Sequence, residues 1–142
     1  MRVLWNMLDN NYRVPKFSIG IDIEMIERFE KYSLESHKRE LERIFTQNEL
    51  FYCFSKKNHA PCLCGRFCAK EAIIKAFSSF EQAVISFADI EIVNEGKKGP
   101  RVKIIGKQFT TDFLDRIEIK ISISHTAQTA VSNALVLYWC DM

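Results

Sequence analysis

The sequence predicts an α+β fold in which a mainly antiparallel sheet packs with a long helix. Three observations support this prediction: a strictly alternating segment comes early, residues with helical spacing follow it, and the last third returns to alternating segments. The 142 residues fit one domain, and 47% of them are hydrophobic, which is enough for a packed core. We expect an N-terminal extension over residues 1–16 and a single domain over residues 17–142.

The first half of the chain is predicted to form one strand and then helices. Residues 17–25 alternate apolar residues with small or acidic ones, which is typical of a half-buried strand. Residues 26–45 place apolar side chains among charges at helical spacing, so we expect one helix there. Thr46 and Glu49 form a capping-box pattern that begins another helix, and a long helix is expected over about residues 62–77.

The last third is predicted to form strands joined by turns. A segment that contains Gly96, Gly99 and Pro100 separates two β-rich stretches, which indicates a hairpin. A later stretch alternates cleanly, and the final one is mostly apolar. The predicted strands are residues 90–93, 101–105, 117–123 and 130–139, and the predicted helix is residues 108–114.

Charge and hydropathy argue against several function classes. The formal net charge is +2, so a large electrostatic footprint for nucleic acid is not indicated. The longest apolar run is far shorter than the ~20 residues that cross a bilayer. Polar residues interrupt the opening of the chain too early for a secretory signal. We therefore expect a cytoplasmic protein that acts on neither nucleic acids nor membranes.

The five cysteines allow two interpretations. Three of them, Cys62, Cys64 and Cys68, lie close together and could form half of a metal site. No second Cys/His cluster has a suitable spacing for the other half. We prefer the alternative that the cysteines are small apolar residues in a reducing cytosol.

The first candidate site lies on the early strand. Residues two apart on a strand point to the same side, about 6–7 Å apart. Asp22 and Glu24 therefore share the side opposite Ile21 and Ile23, and Gly20 leaves room beside them. Two carboxylates placed in this way repel each other unless a cation lies between them, and their hard oxygen atoms suit Mg²⁺. The alternative is a solvated polar face on an edge strand.

The second candidate site lies on the long helix. On a wheel of about 100° per residue, Lys70 falls inside an apolar stripe and Glu71 lies at its border. Charges on a buried face are costly unless they are paired or bind a metal. The alternative is a lysine that reaches solvent, beside a Glu71–Lys75 pair worth only about 0.2–0.5 kcal/mol. The residues of the stripe are Leu63, Phe67, Ile74 and Phe77.

The third candidate site lies at the end of an alternating strand, where Ser124, His125 and Thr126 follow one another. Together they offer several hydrogen-bond donors, which suits a phosphate. The alternative is that His125 is a surface or capping residue beside a turn. The chain contains no Gly-x-Ser-x-Gly nucleophile elbow and no glycine-rich phosphate loop, so anion binding here would rely on side chains.

Taken in order, these segments resemble the 4′-phosphopantetheinyl transferase superfamily, and most closely its short holo-acyl-carrier-protein synthases. The resemblance covers about residues 18–137, nearly the whole chain after the extension. No single motif is decisive, but all five occur in the family's order. The matching motifs are Gly20–Arg28, Phe45–Leu50, Gly65–Phe77, Asp89–Ile92 and Ile123–Thr126.

The resemblance implies the fold of that family and a role for each candidate residue. Asp22 and Glu71 would be Mg²⁺ ligands, and Glu71 would also help to deprotonate the acceptor serine, directly or through a water. Lys75 would be catalytic, contacting the pyrophosphate or assisting the leaving group. Arg28 would meet an acidic helix of the carrier protein. The residues expected to contact coenzyme A phosphates are Arg66, Lys70, Lys75, His125 and Thr126.

The resemblance also implies an activity and partners. The family transfers 4′-phosphopantetheine from coenzyme A to a serine of an apo acyl-carrier protein and releases adenosine 3′,5′-bisphosphate, with Mg²⁺ as cofactor. Short synthases are typically trimers, so we expect a homotrimer whose coenzyme cleft lies between subunits. Fatty acid biosynthesis is the expected setting, and carriers of polyketide or peptide type stay open as alternatives.

Glu24 is a departure from the resemblance. Short synthases usually lack an acid two residues after the aspartate, whereas the larger surfactin-type enzymes have Asp-x-Glu. Our hypothesis is that Glu24 is a third Mg²⁺ ligand and replaces a water in the site of the short group.

Two other function classes stay open. The chain could be a non-catalytic module that binds coenzyme A or a nucleotide phosphate, or a Mg²⁺-dependent phosphohydrolase that acts on nucleotides. The combination of Asp22, Glu71 and Lys75 argues against the first, because a binding module has little need for a metal together with a base.

Overall fold

The computed structural model describes residues 15–80 and 84–140, which form five α-helices and five β-strands. Most of the expected N-terminal extension, residues 1–14, lies outside the described residues. In chain order the elements are β1 (Lys16–Met25), α1 (Glu27–Glu30), α2 (Leu34–Leu41), α3 (Gln47–Phe54), α4 (Ala60–Phe77), β2 (Ile90–Asn94), β3 (Pro100–Ile104), α5 (Thr111–Asp115), β4 (Ile117–His125) and β5 (Thr129–Tyr138).

The strands form two antiparallel groups. The main sheet has the order β1-β5-β4, so β5 is its central strand. β2 and β3 form the separate hairpin that the Gly/Pro-rich turn predicts. The 18-residue helix α4 packs on the main sheet, mostly against β1 and β5. The predicted fold class, an antiparallel sheet packed with a long helix, is therefore confirmed.

The prediction of one helix over residues 26–45 is wrong. The chain forms two short helices, α1 and α2, with a break before Leu34. At the break Ser33 adopts extended backbone angles, φ −133° and ψ 149°, and its Oγ accepts a hydrogen bond from the backbone N of Ser36 at 3.2 Å. An extended N-cap residue cannot continue the preceding helix, so the cap that begins α2 also separates it from α1.

The next two helices begin close to the predicted positions. The Thr46 Oγ1 accepts a hydrogen bond from the backbone N of Glu49 at 3.2 Å, and Glu49 Oε2 accepts one from the backbone N of Thr46 at 2.8 Å. These two bonds complete the capping box that begins α3. Pro61 lies in the first turn of α4, where a missing N–H leaves no helical bond unmade. Among the described helices, none has both the length and the apolar character needed to cross a membrane.

Helix α4 is buried on nearly all sides, so the single apolar stripe predicted for it is too narrow. The side facing the sheet carries small residues. On that side the Cys64 thiol donates to the backbone O of Glu24 at 3.7 Å, and the Cys68 thiol donates to the backbone O of Ala130 at 3.4 Å. These contacts join the helix to β1 and β5. Because α4 lies between two layers, packing on both sides fixes the direction of every side chain that it carries.

Close contact between β1 and α4 depends on Gly20. A Cβ atom at this position would lie 1.9 Å from the backbone O of Ala72 and 2.8 Å from the backbone N of Ala76. Both atoms belong to the helix backbone, which cannot move aside as a flexible side chain can. The absence of a side chain at Gly20 therefore lets the strand lie directly against the helix.

Strand β1 is half-buried, as its alternation predicts, but the covered side is the small and acidic one. Ser18 is 8% exposed, whereas Ile19 is 74% exposed. This reversal follows from the contact at Gly20. Because α4 packs on the face of β1 that carries Gly20, the apolar side chains of the other face point away from the core. The large apolar residues exposed along β1 are Phe17, Ile19, Ile21, Ile23 and Met25.

Substituting Gly20→Ala is expected to destabilise the fold, because the added methyl group meets helix backbone. We expect the free energy of unfolding to fall by about 1–3 kcal/mol, measured by urea denaturation. Lys107→Ala, at an exposed position outside β1, is the control and should change the free energy by less than about 0.5 kcal/mol. A Gly20→Ala protein as stable as the wild type would contradict the close contact.

Candidate active site

An acid of β1 and a lysine of α4 form the centre of the candidate site. The Lys75 Nζ donates to Asp22 Oδ1 at 2.8 Å and to the backbone O of Ile21 at 3.0 Å. The Asp22 side chain is only 11% exposed, whereas that of Lys75 is 51% exposed. The hydrogen bond to Asp22 raises the pKa of Lys75, so the lysine keeps its positive charge at the mouth of the site.

The second carboxylate oxygen of Asp22 could accept a hydrogen bond or bind a cation. Oδ2 is buried and accepts no hydrogen bond from the described residues. A buried carboxylate oxygen without a donor is costly, and a cation beside it would remove that cost. This oxygen is therefore suited to a ligand that the chain itself does not supply.

Glu71 lies one turn before Lys75 on α4 and shares the site with Asp22. Burial raises the pKa of Glu71, and the negative charge of Asp22 raises it further. Lys75 opposes the rise, and Glu24 adds to it. The charge of Asp22 therefore disfavours the ionised form of Glu71, and a positive ion beside both carboxylates would relieve this repulsion.

The acids fit a cation that is held by two protein carboxylates. Within residues 15–80 and 84–140, no group of three or more His, Cys, Asp or Glu residues is placed to hold a metal ion. Glu24 has a partner of its own, because its carboxylate is bonded to the Arg28 guanidinium. The described structure therefore offers Asp22 and Glu71 as a pair, and the hypothesis that Glu24 is a third ligand stays a prediction.

Arg28 lies on α1 with 59% of its side chain exposed. Besides its bond to Glu24, its guanidinium lies 6.0 Å from the centroid of the Phe67 ring. It lines a groove of about 440 Å³ together with Lys31 and Tyr32. A cation held at the edge of a half-apolar groove is a suitable contact for an acidic partner surface.

Lys70 is in a different position from the one that the resemblance implies. Its side chain is fully buried and its Nζ lies 2.7 Å from Glu49 Oε2. The same ammonium donates to the backbone O of Ile44 at 2.6 Å and to that of Phe87 at 3.2 Å. Burial lowers the pKa of Lys70, and the charge of Glu49 opposes this. An enclosed ammonium with three protein acceptors cannot reach a phosphate, so the expectation that Lys70 contacts coenzyme A is corrected: it is a core ion-pair residue.

A second cluster surrounds Arg66, which is 5% exposed. Its guanidinium donates to Asn94 Oδ1 at 3.0 Å and lies 4.4 Å from the centroid of the Tyr52 ring. Arg66 and His125 line the same cavity of about 420 Å³, and their contact with coenzyme A phosphates stays a prediction. Burial lowers the pKa of Arg66, but an arginine stays charged at neutral pH.

Thr126 begins the turn between β4 and β5. Its Oγ1 accepts hydrogen bonds from the backbone N of Gln128 at 3.2 Å and of Thr129 at 3.1 Å. His125 is exposed, and its Nδ1 lies 3.2 Å from the backbone O of Thr126. Thr126 therefore has a structural task in the turn and presents His125 at the strand end.

The structure thus groups the candidate residues into an acid–lysine cluster and an arginine–histidine cavity. Both include residues of α4. Glu71 lies five residues beyond Arg66, or about 7.5 Å along the helix axis. Tyr52 and Asn94, which contact Arg66, were not identifiable from the sequence, because they are neighbours only in the folded chain.

The interpretation of all cysteines as free apolar residues is wrong for two of them. Cys53 in α3 and Cys62 in α4 form a disulfide, with Cα atoms 5.4 Å apart. Cys64 and Cys68 are free and buried, as that interpretation expects. Sequence spacing gave no signal for the pairing, because it depends on how α3 and α4 meet.

The raised pKa of Glu71 leads to a prediction about stability. Because the folded-state pKa is raised, the folded chain binds the proton more tightly than the unfolded chain, so stability decreases as pH rises through the folded pKa. In the absence of divalent cations, we expect Glu71→Gln to have a higher Tm than the wild type at neutral pH. The difference should vanish below about pH 4, where the wild-type carboxyl is protonated in both states.

The measurement is thermal unfolding followed by circular dichroism over a range of pH. Glu118→Gln is the matched control, because its exposed carboxylate pairs with Lys120 at the surface. A Glu71→Gln protein that is less stable than the wild type at neutral pH would show that the ionised Glu71 carboxylate does not destabilise the fold.

Comparisons with known proteins show which proteins the chain resembles. A sequence profile of the 4′-phosphopantetheinyl transferase superfamily matches residues 18–132. A holo-[acyl-carrier-protein] synthase of Protochlamydia amoebophila is 38% identical over 117 residues, which span 82% of this chain and 94% of that protein. One of Aquifex aeolicus is 32% identical over 118 residues, which span 83% of this chain and 96% of that protein.

Solved structures show the same fold. The Helicobacter pylori holo-[acyl-carrier-protein] synthase in complex with coenzyme A has 32% identity and a TM-score of 0.66, and the match covers 83% of this chain and 98% of that chain. The Bacillus anthracis enzyme in complex with CoA (3′,5′-ADP) has 29% identity and a TM-score of 0.65, with 85% and 96% covered. With the profile spanning most of its length and relatives above 30% identity, the chain belongs to the 4′-phosphopantetheinyl transferase superfamily.

Proposed function

We propose that the protein is a holo-acyl-carrier-protein synthase, which transfers 4′-phosphopantetheine from coenzyme A to a serine of an apo acyl-carrier protein. The observation that carries the proposal is the meeting of Asp22 from β1 with Glu71 and Lys75 from α4. This cluster combines two acids with a protonated amine, which is the chemistry that phosphoryl transfer needs. Relatives across most of the chain length bear the same enzyme name.

Coenzyme A is proposed as the donor substrate. The related structures from Helicobacter pylori and Bacillus anthracis are complexes with coenzyme A or its nucleotide portion. In this chain the cavity of Arg66 and His125 offers a charged donor and an imidazole to phosphate oxygens. Thr126 keeps His125 at the cavity edge, and its own hydroxyl can donate to a phosphate while it accepts from the turn.

Mg²⁺ is the proposed cofactor, held by Asp22 and Glu71. The residues fit it because Asp22 Oδ2 is buried without a donor and because the negative charge of Asp22 raises the pKa of Glu71, a repulsion that a cation would relieve. When bound, the ion supplies positive charge to the pyrophosphate oxygens of coenzyme A as a Lewis acid.

The chain's own residues account for the proton and the leaving group. The serine oxygen attacks the phosphorus next to pantetheine, its proton passes to a base, and the bond between that phosphorus and the bridging oxygen breaks. Adenosine 3′,5′-bisphosphate leaves with the negative charge. Glu71 suits the role of base, directly or through a water, because burial raises its pKa. Lys75 stays protonated beside Asp22 and can donate to a pyrophosphate oxygen as charge develops there.

The carrier protein is proposed to dock beside α1. Arg28 and Lys31 place two cations on a groove that Glu27 and Glu40 also line, and Phe67 supplies apolar surface. The cation proposed to meet the carrier is Arg28, whose side chain is 59% exposed. Acyl-carrier proteins are acidic by the resemblance drawn above, so opposite charges would guide the encounter and added salt would weaken it. The type of carrier, the setting in fatty acid biosynthesis and a cytoplasmic location stay predictions from the sequence.

A homotrimer is proposed as the assembly. Strand β1 exposes a row of apolar side chains on the face away from α4, and Ile19 and Ile23 are 74% and 64% exposed. A groove of about 550 Å³ continues this surface across the sheet between Ile19, Lys120 and Leu135. Apolar rows of this kind on a sheet usually pack against another surface, and a second copy of the chain offers the same row.

Two other function classes make different predictions. A non-catalytic binding module would use the Arg66 cavity but would have no need for the acids at Asp22 and Glu71. A nucleotide phosphohydrolase would release phosphate or phosphopantetheine without a carrier. The orphaned Asp22 oxygen and the protonated Lys75 favour transfer or hydrolysis over binding alone.

Transfer is tested by incubating the protein with coenzyme A, Mg²⁺ and an apo-carrier and then weighing the carrier by mass spectrometry. We expect a mass gain of one phosphopantetheine, and Glu71→Gln should lower the rate by at least about 10²–10⁴-fold because it removes the proposed base and also a proposed Mg²⁺ ligand. Glu118→Gln should keep the wild-type rate. Unmodified carrier with intact coenzyme would indicate a binding module, and coenzyme cleavage without a carrier would indicate a hydrolase.

The assembly is tested with Ile19→Glu, which places a charge in the exposed apolar row. We expect wild-type protein to have the mass of a trimer in light scattering and Ile19→Glu to have the mass of a monomer, with transfer lost because the cleft is incomplete. Lys107→Glu, exposed outside β1, should stay trimeric. A folded Ile19→Glu trimer, or a wild-type monomer with full activity, would overturn the proposed interface.

A further inference from the structure

The disulfide between Cys53 and Cys62 lies at the wall of the Arg66 cavity. Cys53 is fully buried near the end of α3, whereas Cys62 is partly exposed in the first turn of α4 and lines the cavity. A small thiol that enters the cavity therefore reaches Cys62 and not Cys53. Accessibility of one sulfur from a ligand-sized space distinguishes this bridge from one buried on both sides.

The bridge is in direct contact with the residue that we assign to phosphate binding. One guanidinium nitrogen of Arg66 donates to Cys62 Sγ at 3.0 Å, one helical turn away. The other donates to Asn94, and the guanidinium stacks on Tyr52, the residue before Cys53. Arg66 Nε is buried and makes no hydrogen bond within the described residues. The guanidinium of Arg66 is thus held beside the disulfide, at the wall of the cavity.

The charge on the Cys62 sulfur depends on the bridge. A disulfide sulfur is neutral and a weak acceptor, so it does not compensate the positive charge of Arg66, which stays available to an incoming phosphate. A free thiol beside a guanidinium favours the thiolate, which would pair with Arg66 and add a negative charge to the cavity. Both effects weaken the binding of an anion.

We propose that Cys53 and Cys62 form a thiol-exchange site whose redox state sets the affinity of the Arg66 cavity for the phosphates of coenzyme A. The inference rests on the proposed function for the identity of the ligand. The co-reactant is a small dithiol. One of its thiolates attacks Cys62 Sγ, the bond between the two cysteine sulfurs breaks, and Cys53 leaves as a thiolate that takes a proton.

The second thiol of the same dithiol molecule then attacks the first sulfur of that molecule, which is now bonded to Cys62 Sγ. The dithiol closes to a cyclic disulfide and Cys62 leaves as a thiolate beside Arg66. Two electrons pass from the dithiol to the protein, and both cysteines end in the reduced form. A disulfide-forming oxidant reverses the change.

The test measures binding of adenosine 3′,5′-bisphosphate by calorimetry at about pH 8, where a thiol beside a cation is largely ionised. This probe carries phosphates and no thiol that could itself reduce the bridge. The redox state is read by intact mass, which increases by about 2 Da when one disulfide is reduced. We expect Kd to rise by about three- to tenfold on reduction of the wild type, because a charge-assisted contact is lost.

A matched pair of variants separates charge from loss of the bridge. Cys53→Ala and Cys62→Ala both remove the disulfide, but only Cys53→Ala leaves a thiol beside Arg66. We expect Cys53→Ala to bind as weakly as the reduced wild type, and Cys62→Ala, which leaves no sulfur beside Arg66, to bind more tightly than Cys53→Ala with or without dithiol. Cys140→Ser should respond to the dithiol as the wild type does. Equal Kd for the two alanine variants, or for the two redox states of the wild type, would overturn the inference.

The carrier assay, run in parallel, separates this inference from the proposed function. Absence of transfer in both redox states, together with binding that follows the redox state, would refute the synthase and leave the exchange site standing. Transfer with the same KM for coenzyme A in both states, each confirmed by mass, would refute the exchange site and leave the synthase standing.

Discussion

Strand β1 lies against the backbone of α4 because Gly20 has no side chain, and the acid–lysine cluster depends on that contact. The position a Cβ would occupy is already within 1.9 Å of the Ala72 carbonyl. A larger residue would push the helix away, and Lys75 could then no longer donate to both Asp22 and the backbone of Ile21. Asp22 of β1 and Glu71 of α4 come together because Gly20, where the strand touches the helix, has no side chain.

The opposite side of α4 is fixed by the buried ion pair of Glu49 and Lys70. Glu49 also accepts a hydrogen bond from the backbone N of Ile92 at 2.8 Å, so the pair ties α3, α4 and β2 together. Removing one partner of such a pair typically costs about 3–5 kcal/mol, because the other charge is left buried and alone. Rotation of α4 is therefore restricted, and Arg66 and Glu71 on either side of Lys70 are held in fixed directions.

Local patterns explain which parts could be predicted from the sequence. Alternation and capping chemistry located β1, α3, α4 and the later strands, since these signals lie within a few residues of one another. The wheel showed that Lys70 is a charge in an apolar stripe, but its partner Glu49 lies 21 residues away and is found only by packing. The Cys53–Cys62 bridge had no local signal either. The Glu24–Arg28 pair joins β1 to α1, so the i,i+4 rule for pairs within one helix gave no signal for it.

The glycine on β1 also fixes the alignment of the strand with its neighbour. In the observed pairing Gly20 lies opposite Ala134 and Asp22 opposite Ser132. A slip by one residue would exchange the two faces and place an isoleucine where the helix backbone leaves no room for any Cβ. A pairing shifted by one residue is thus excluded by a steric clash with the helix backbone. The same gap that lets Asp22 meet the residues of α4 therefore also excludes misaligned pairings when the sheet assembles.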